Sequence, residues 1–266
     1  MTAATFAILA FIGTIMWVRV RPSNERLWSQ DQAVLPYAEI NDGVAYIKNI
    51  RDFKYKSAGD YTPRYYDAEF DIAKIKKIYY VLTPFGNNRG LAHAFLSFEF
   101  EGDIFVAISI EIRKRRGAEF SPLRGLLKQY EIMYVVGSEH DLIGLRSNFR
   151  KNRVYVYPVR ASSEVAGALF LDMLRRANAL REKPEFYNTL TNNCTTNIIN
   201  HISKVIVKKI SFRIEEWLPE NSDRLAYNMG LIDTSLPFNE ARKKFLISER
   251  AMRYANSPNF SVKIRS

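Results

Sequence analysis

At 266 residues, with 47% hydrophobic and 13% aromatic side chains, the chain can build one large globular domain or two small ones. Its net charge of +11 favours an anionic partner, but the basic residues run from Arg19 to Arg265 interspersed with Asp and Glu. No zinc-finger spacing, RNA-binding aromatic signature or basic helical arm is present, so an anionic membrane surface fits the charge better than nucleic acid.

Thr2 to Val18 is uncharged and mostly apolar, and Arg19, Arg21 and Pro22 close it. That length is the short limit for a spanning helix. No basic residue precedes the run, and Ile15-Met16-Trp17 is a poor cleavage site. Residues 2–18 are therefore expected to form an uncleaved membrane anchor with Trp17 at the interface. Arg19, Arg21 and Arg26 flank it, and by the positive-inside rule they would hold the following chain in the cytoplasm.

Residues 19–43 read as a loop-like entry segment ending in the turn signal Asn41-Asp42-Gly43. One domain is expected over 44–238, then a charged tail over 239–266. Val44 to Ile47 and Asp52 to Lys56 read as short strands, and Asp60 to Asp67 as irregular. Ile78 to Leu82 is a run of β-formers closed by Pro84 and Gly86, so a buried strand is expected there.

Ala92 to Phe100 alternates, with His93, Phe95, Ser97 and Glu99 on one face. Ile104 to Arg113 alternates as well, with Phe105, Ala107, Ser109, Glu111 and Arg113 together. Glu101-Gly102-Asp103 is the turn between them, and it pairs Phe100 with Ile104. Counting outward, Ser97 faces Ala107 and His93 faces Glu111. A slip of one residue would separate the two apolar faces. His93 and Glu111 are thus expected to be cross-strand neighbours, roughly 5 Å apart at Cβ.

Further along, Leu123 to Gln129 reads as a short helix, and Glu131 to Val136 and Val154 to Val159 as strands. Asp141 to Asn152 reads as a charged connection. Ser163 to Leu180 has a serine cap and an apolar stripe through Val165, Leu169, Met173 and Leu174, which predicts a helix. The only cysteine, Cys194, follows Asn192-Asn193 and precedes Ile198, Ile199, Ile202, Val205 and Ile206 at helical spacing. It is expected in the first turn of a helix running to about Lys209. There the unpaired N–H groups and the helix dipole favour a thiolate. A small buried cysteine is the other reading of this stretch taken alone.

A thiol nucleophile needs a base, an orienting group and oxyanion donors. His201 lies two helical turns beyond Cys194, about 10 Å along the axis, too far to act as base. His140 sits in a polar turn and is expected to be solvated. His93, with Glu111 beside it, is the candidate base; the alternative is a satisfied, half-buried histidine. The N–H groups of Cys194 and Thr195 and the side chains of Asn192 and Asn193 are candidate oxyanion donors. Arg113 and Arg146 are candidates for holding an anion, against a default of ordinary ion pairing. No metal-ligand spacing, Cys cluster or glycine-rich nucleotide loop is present, so neither a metal nor another cofactor is expected. The order histidine, carboxylate, cysteine would be a circular permutation of the papain-like arrangement. The fold class expected is α+β, an antiparallel sheet with the cysteine-bearing helix packed on it.

Several stretches resemble one bacterial family. They are Arg21-Pro22-Ser23-Asn24-Glu25-Arg26-Leu27-Trp28, Asn49-Ile50-Arg51-Asp52-Phe53, Ala92-His93-Ala94-Phe95-Leu96-Ser97-Phe98, Ser109-Ile110-Glu111-Ile112-Arg113-Lys114 and Tyr187 to Thr196. The family is similar to the N-terminal periplasmic domain of Lnb, a lipoprotein N-acyltransferase, and the resemblance covers about residues 20 to 235. It implies a permuted papain-like thiol fold akin to NlpC-type hydrolases and lecithin-retinol acyltransferases. It also implies that His93 and Cys194 carry the chemistry, with Glu111 as third member.

The expected function is that of a membrane-anchored cysteine acyltransferase working through a Cys194 thioester. Membrane phospholipid would be the donor and a diacylated lipoprotein the acceptor. The alternatives are a papain-like hydrolase of cell-envelope peptides or amides, and a non-catalytic membrane-tethered binding domain. The place expected is the bacterial inner membrane, with the domain facing the periplasm as the resemblance implies; this opposes the arginine flank, a conflict that a further membrane helix ahead of the anchor would resolve.

Overall fold

The computed structural model describes residues 5, 19–85, 90–205 and 219–266. The expected anchor over 2–18 lies outside them apart from Thr5, and among the described residues no helix is long and apolar enough to cross a membrane. The strands are β1 (Tyr37–Asn41), β2 (Val44–Arg51), β3 (Lys54–Tyr55), β4 (Tyr61–Thr62), β5 (Tyr65–Asp71), β6 (Ile75–Pro84), β7 (Ala92–Phe100), β8 (Ile104–Arg113), β9 (Glu131–Gly137) and β10 (Tyr155–Pro158). The helices that matter are α1 (Pro122–Leu126), α2 (Glu139–Gly144), α3 (Ser163–Glu182), α4 (Cys194–Val205), α5 (Ser222–Asn228), α6 (Phe238–Lys244), α7 (Ser248–Arg253) and α8 (Phe260–Lys263). The protein is α+β.

Among the described residues the main sheet runs β1-β2-β9-β8-β7-β6-β10, and β5 also pairs with β2. It is mixed rather than purely antiparallel, because β2 meets β9 in parallel at Arg51 and Gly137. Gly137 is needed there: a Cβ would sit 3.1 Å from the Arg51 carbonyl oxygen. The β7–β8 register pairs Phe100 with Ile104 and Ser97 with Ala107, as the alternation and turn predict.

Both faces of the sheet are covered. Ala94, Leu96, Phe98, Ile108 and Ile110 pack under α3 and α4 with Leu169, Phe170, Met173 and Ile198. On the other face, Val81, Phe95, Ala107 and Val135 meet Leu142, Ile143, Ile247, Ala251, Phe260 and Ile264. The charged segment 239–266 is folded: most of α6, then α7 and α8, follow one another there, and Ile247, Ala251, Phe260 and Ile264 join the second core. Their charges are matched as well, since Arg265 pairs with buried Glu139 and stacks 4.0 Å from the Tyr79 ring centroid.

Other expectations are revised. The entry segment carries β1, joined to β2 by a tight turn with Asp42 at φ 47° and Gly43 at φ 79°. Asn24 bonds the carbonyls of Leu180 and Arg181, and Arg26 pairs with Glu131, so the segment straps the sheet to α3. Asp52 to Lys56 yields only the short β3, while the region read as irregular holds β4 and the start of β5. Asp141 to Phe149 is helical, with the end of α2 running into a π-turn over Leu145–Phe149. The described part of the cysteine helix ends at Val205.

Candidate active site

Cys194 opens α4. Asn193 caps the helix reciprocally: its Oδ1 accepts from Thr196 N at 2.9 Å, and its own N–H donates to Thr196 Oγ1 at 2.9 Å. The turn before it is closed by paired Asn188 and Asn192 backbones, with Asn188 Oδ1 accepting from the N–H groups of Leu190 and Thr191. The asparagine-rich motif thus builds its own scaffold and sets Cys194 on a capped helix start. Asn193→Ala is expected to cost about 1 kcal/mol of stability (range about 0.5–2) through loss of the cap, read as a lower urea midpoint at unchanged slope.

His93, on β7, reaches three groups. Its Nε2 lies 2.7 Å from Ser109 Oγ and 3.2 Å from Glu111 Oε1, and Cys194 lines the same cavity, near enough to act on the charge of the ring. With Nε2 engaged on the Glu111 side, Nδ1 is the nitrogen left for the sulfur. Ser109 Oγ donates to Glu111 Oε1 at 2.7 Å, and Arg146 Nη2 donates to the same oxygen at 2.6 Å. The Cys194 sulfur lies 3.9 Å from Thr195 Oγ1. His93 stands on the sheet face of Phe95, whereas Cys194 belongs to the core under α4, so imidazole and thiol meet at the end of β7.

The electrostatics favour an ion pair. Burial opposes charge on His93, but the Glu111 carboxylate, with the Cys194 and Glu111 side chains as hydrogen-bond acceptors, outweighs it, and the pKa is raised. Burial likewise opposes a Cys194 thiolate; the hydrogen bond and charge of His93, with Ala94 and Thr195, reverse it and lower the pKa. Burial would also raise Glu111, yet the charges of His93 and Arg146 hold it well below the usual carboxylate range.

A cavity of about 310 Å³ opens at this point, lined by Cys194, His93, Glu111, Arg146, Tyr187 and Lys114 among others. On the other side of the helix start an almost wholly apolar groove begins at Thr195 and follows Ile198, Ile199 and Ile202.

The structure brings together Cys194, Thr195, His93 and Glu111. It directs the other candidates elsewhere. The Asn192 and Asn193 amides donate to the carbonyls of Phe186 and Thr189, so they serve the turn rather than an oxyanion. Arg113 gives its donors to Gln32 O, Asn24 Oδ1 and Ala33 O and stacks on Trp28, which makes it a clamp on the entry segment. Arg146 faces a carboxylate of the protein, not a free anion. His201 is locked between Tyr134 and Asp172, and His140 leaves solvent to bond Ala255 O. Sequence reasoning passed over Ser109, although alternation puts it on the face of Glu111. Arg146 gave no local signal of its partner, which lies 35 residues away.

Comparison with known proteins gives one family model, described as the Lnb N-terminal periplasmic domain, which matches residues 61–225. No curated protein and no solved structure matches the chain.

Proposed function

The chain belongs to the Lnb N-terminal periplasmic domain family, and from that premise we propose that it is a periplasm-facing cysteine acyltransferase of lipoprotein processing. The observation that carries the reading is the connected set Cys194, His93 and Glu111 at a helix start beside a cavity. In chain order it is a permuted papain-like arrangement.

The Cys194 thiolate attacks the ester carbonyl of a membrane phospholipid. The N–H groups of Cys194 and Thr195, at the head of α4, face the developing oxyanion. The C–O bond breaks, the His93 imidazolium protonates the departing lysolipid oxygen, and a thioester remains on the sulfur. An amine, that of a diacylated lipoprotein, then attacks the thioester carbonyl. His93 takes its proton, the C–S bond breaks and the thiolate–imidazolium pair returns. A mixed cavity at Cys194 and an apolar groove that starts at the next residue, Thr195, suit an ester at the junction of head group and chain. The net charge of +11 suits an anionic membrane surface.

The test is intact-mass measurement after incubation with phospholipid vesicles. One acyl chain is expected on the wild-type protein, released by neutral hydroxylamine and absent from Cys194→Ala. No adduct on the wild type, together with release of peptide or amide fragments from cell-envelope material, would instead select a hydrolase. Full biological complementation by Cys194→Ala would select a non-catalytic domain.

A further inference from the structure

Arg146 is buried, with 4% of its side chain exposed, beside the proposed reacting pair. Its Nη2 donates to Glu111 Oε1 at 2.6 Å, its Nη1 to Leu142 O at 2.7 Å, and its guanidinium stacks 5.0 Å from the Phe95 ring centroid. The His93 ring packs on the same Phe95, with centroids 5.8 Å apart. Arg146 sits in the π-turn that follows α2, a geometry that concentrates at functional sites. Its anchorage goes further: Arg51 and Asp141 pair at 2.9 Å and hold α2 to the end of β2, so the site's guanidinium rests on a rigid base.

We propose that Arg146 is a positioning residue of the reacting centre, which fixes Glu111 and balances its charge so that His93 can both hold and release a proton. The proposal rests on the thiol chemistry above but not on which acyl group is moved. Glu111 Oε1 is shared by Ser109 at 2.7 Å, Arg146 at 2.6 Å and His93 at 3.2 Å, and the histidine contact is the longest. The carboxylate thus divides its charge between the imidazole and the arginine. A lone Glu111 would grip the imidazolium too firmly for it to protonate a leaving group. The other groups facing the centre are Cys194 and Thr195 from α4, Tyr187 from the preceding segment, Lys114 at the end of β8, Asp31 of the entry segment, and Arg51 and Arg150 at longer range. Arg146 itself acts to lower the His93 pKa while Glu111 raises it, which is the balance proposed.

The experiment is the pH dependence of Cys194 alkylation by iodoacetamide, which needs no substrate and so reads the centre even if the acyltransferase reading fails. Opposite charges at short range shift a pKa by about 1–3 units; Arg146 acts across Glu111, so the low end, about 1 unit, is expected. In Arg146→Met the acid limb, where the thiolate forms, and the alkaline inflection, where loss of the His93 proton changes the reactivity of the thiolate, should both move up, and Arg146→Lys should restore them. An unchanged profile in a folded Arg146→Met protein would overturn the proposal, because a purely structural residue lowers stability without moving the limbs. If Arg146→Met does not fold, Glu111→Gln and the double variant Glu111→Gln/Arg146→Met decide. Glu111→Gln alone should move the limbs down, and the double variant should return them towards wild type. A double variant that matches Glu111→Gln alone would mean that Arg146 carries no counter-charge, and the proposal would fall.

Discussion

With His93 replaced by alanine, turnover is expected to fall by about 10²–10⁴-fold, the usual contribution of a positioned general base. The reason lies in what then remains around the sulfur. Burial pushes the Cys194 thiol up, and only the Ala94 backbone and Thr195 oppose it once the imidazolium is gone. In the wild type, the lowered Cys194 pKa puts the thiolate above it, and the raised His93 pKa puts the imidazolium below it. Activity should occupy the window between the two apparent values, lost on the acid side as the thiolate protonates and on the alkaline side as the imidazolium deprotonates. His93→Ala removes that window. Its thiol should be alkylated only at and above the ordinary range near pH 8.5. A variant that still alkylates in the wild-type window would show that His93 does not set the thiolate.

The largest stability loss is expected at Asp141, a residue with no contact to the sulfur. Its carboxylate accepts from Arg51 Nε at 3.0 Å and Nη2 at 2.9 Å, from Phe53 N at 2.8 Å and from the Tyr55 hydroxyl at 2.9 Å. Asp141→Ala strands a buried guanidinium, an N–H and a hydroxyl together. Breaking such a pair on one side costs about 3–5 kcal/mol. For a chain of this size that is a fall in midpoint of roughly 10 °C, readable by calorimetry or urea titration. Asp141→Leu combined with Arg51→Met, which removes both charges, should be milder than Asp141→Ala, because no lone ion stays buried. If Asp141→Ala shifts the midpoint by less than about 1 kcal/mol, the pair is not the anchor described here.

Much of the site was legible because its signals are local. The alternation of Ala92–Phe100 and Ile104–Arg113 and the Glu101-Gly102-Asp103 turn suffice to pair His93 with Glu111, because a side-chain period of two tolerates no slip when a face is buried. Asparagines ahead of an apolar helix suffice to put Cys194 in the first turn. Alternation also carried Ser109, but a serine is silent about whether it bonds its neighbours or water.

Arg146, Asp141 and Glu139 were illegible for a different reason. Charged residues in a row look solvated, and nothing nearby shows that each is buried against a partner. Those partners are Glu111, Arg51 and Arg265, at 35, 90 and 126 residues' separation. The tail misled in the same way: Ile247, Phe260 and Ile264 are spaced too widely among charges to announce a core face, and they become one only against β6, β7 and α2. The sequence by itself determined the elements with short-range periodicity, the helix start that carries Cys194 and the strand that carries His93. Only the tertiary structure decided that Arg146 pairs with Glu111, that the last helices help cover the second face of the sheet, and that Cys194, His93 and Glu111 line one cavity. Each of these depends on burial and charge pairing across distant chain segments, which no local pattern encodes.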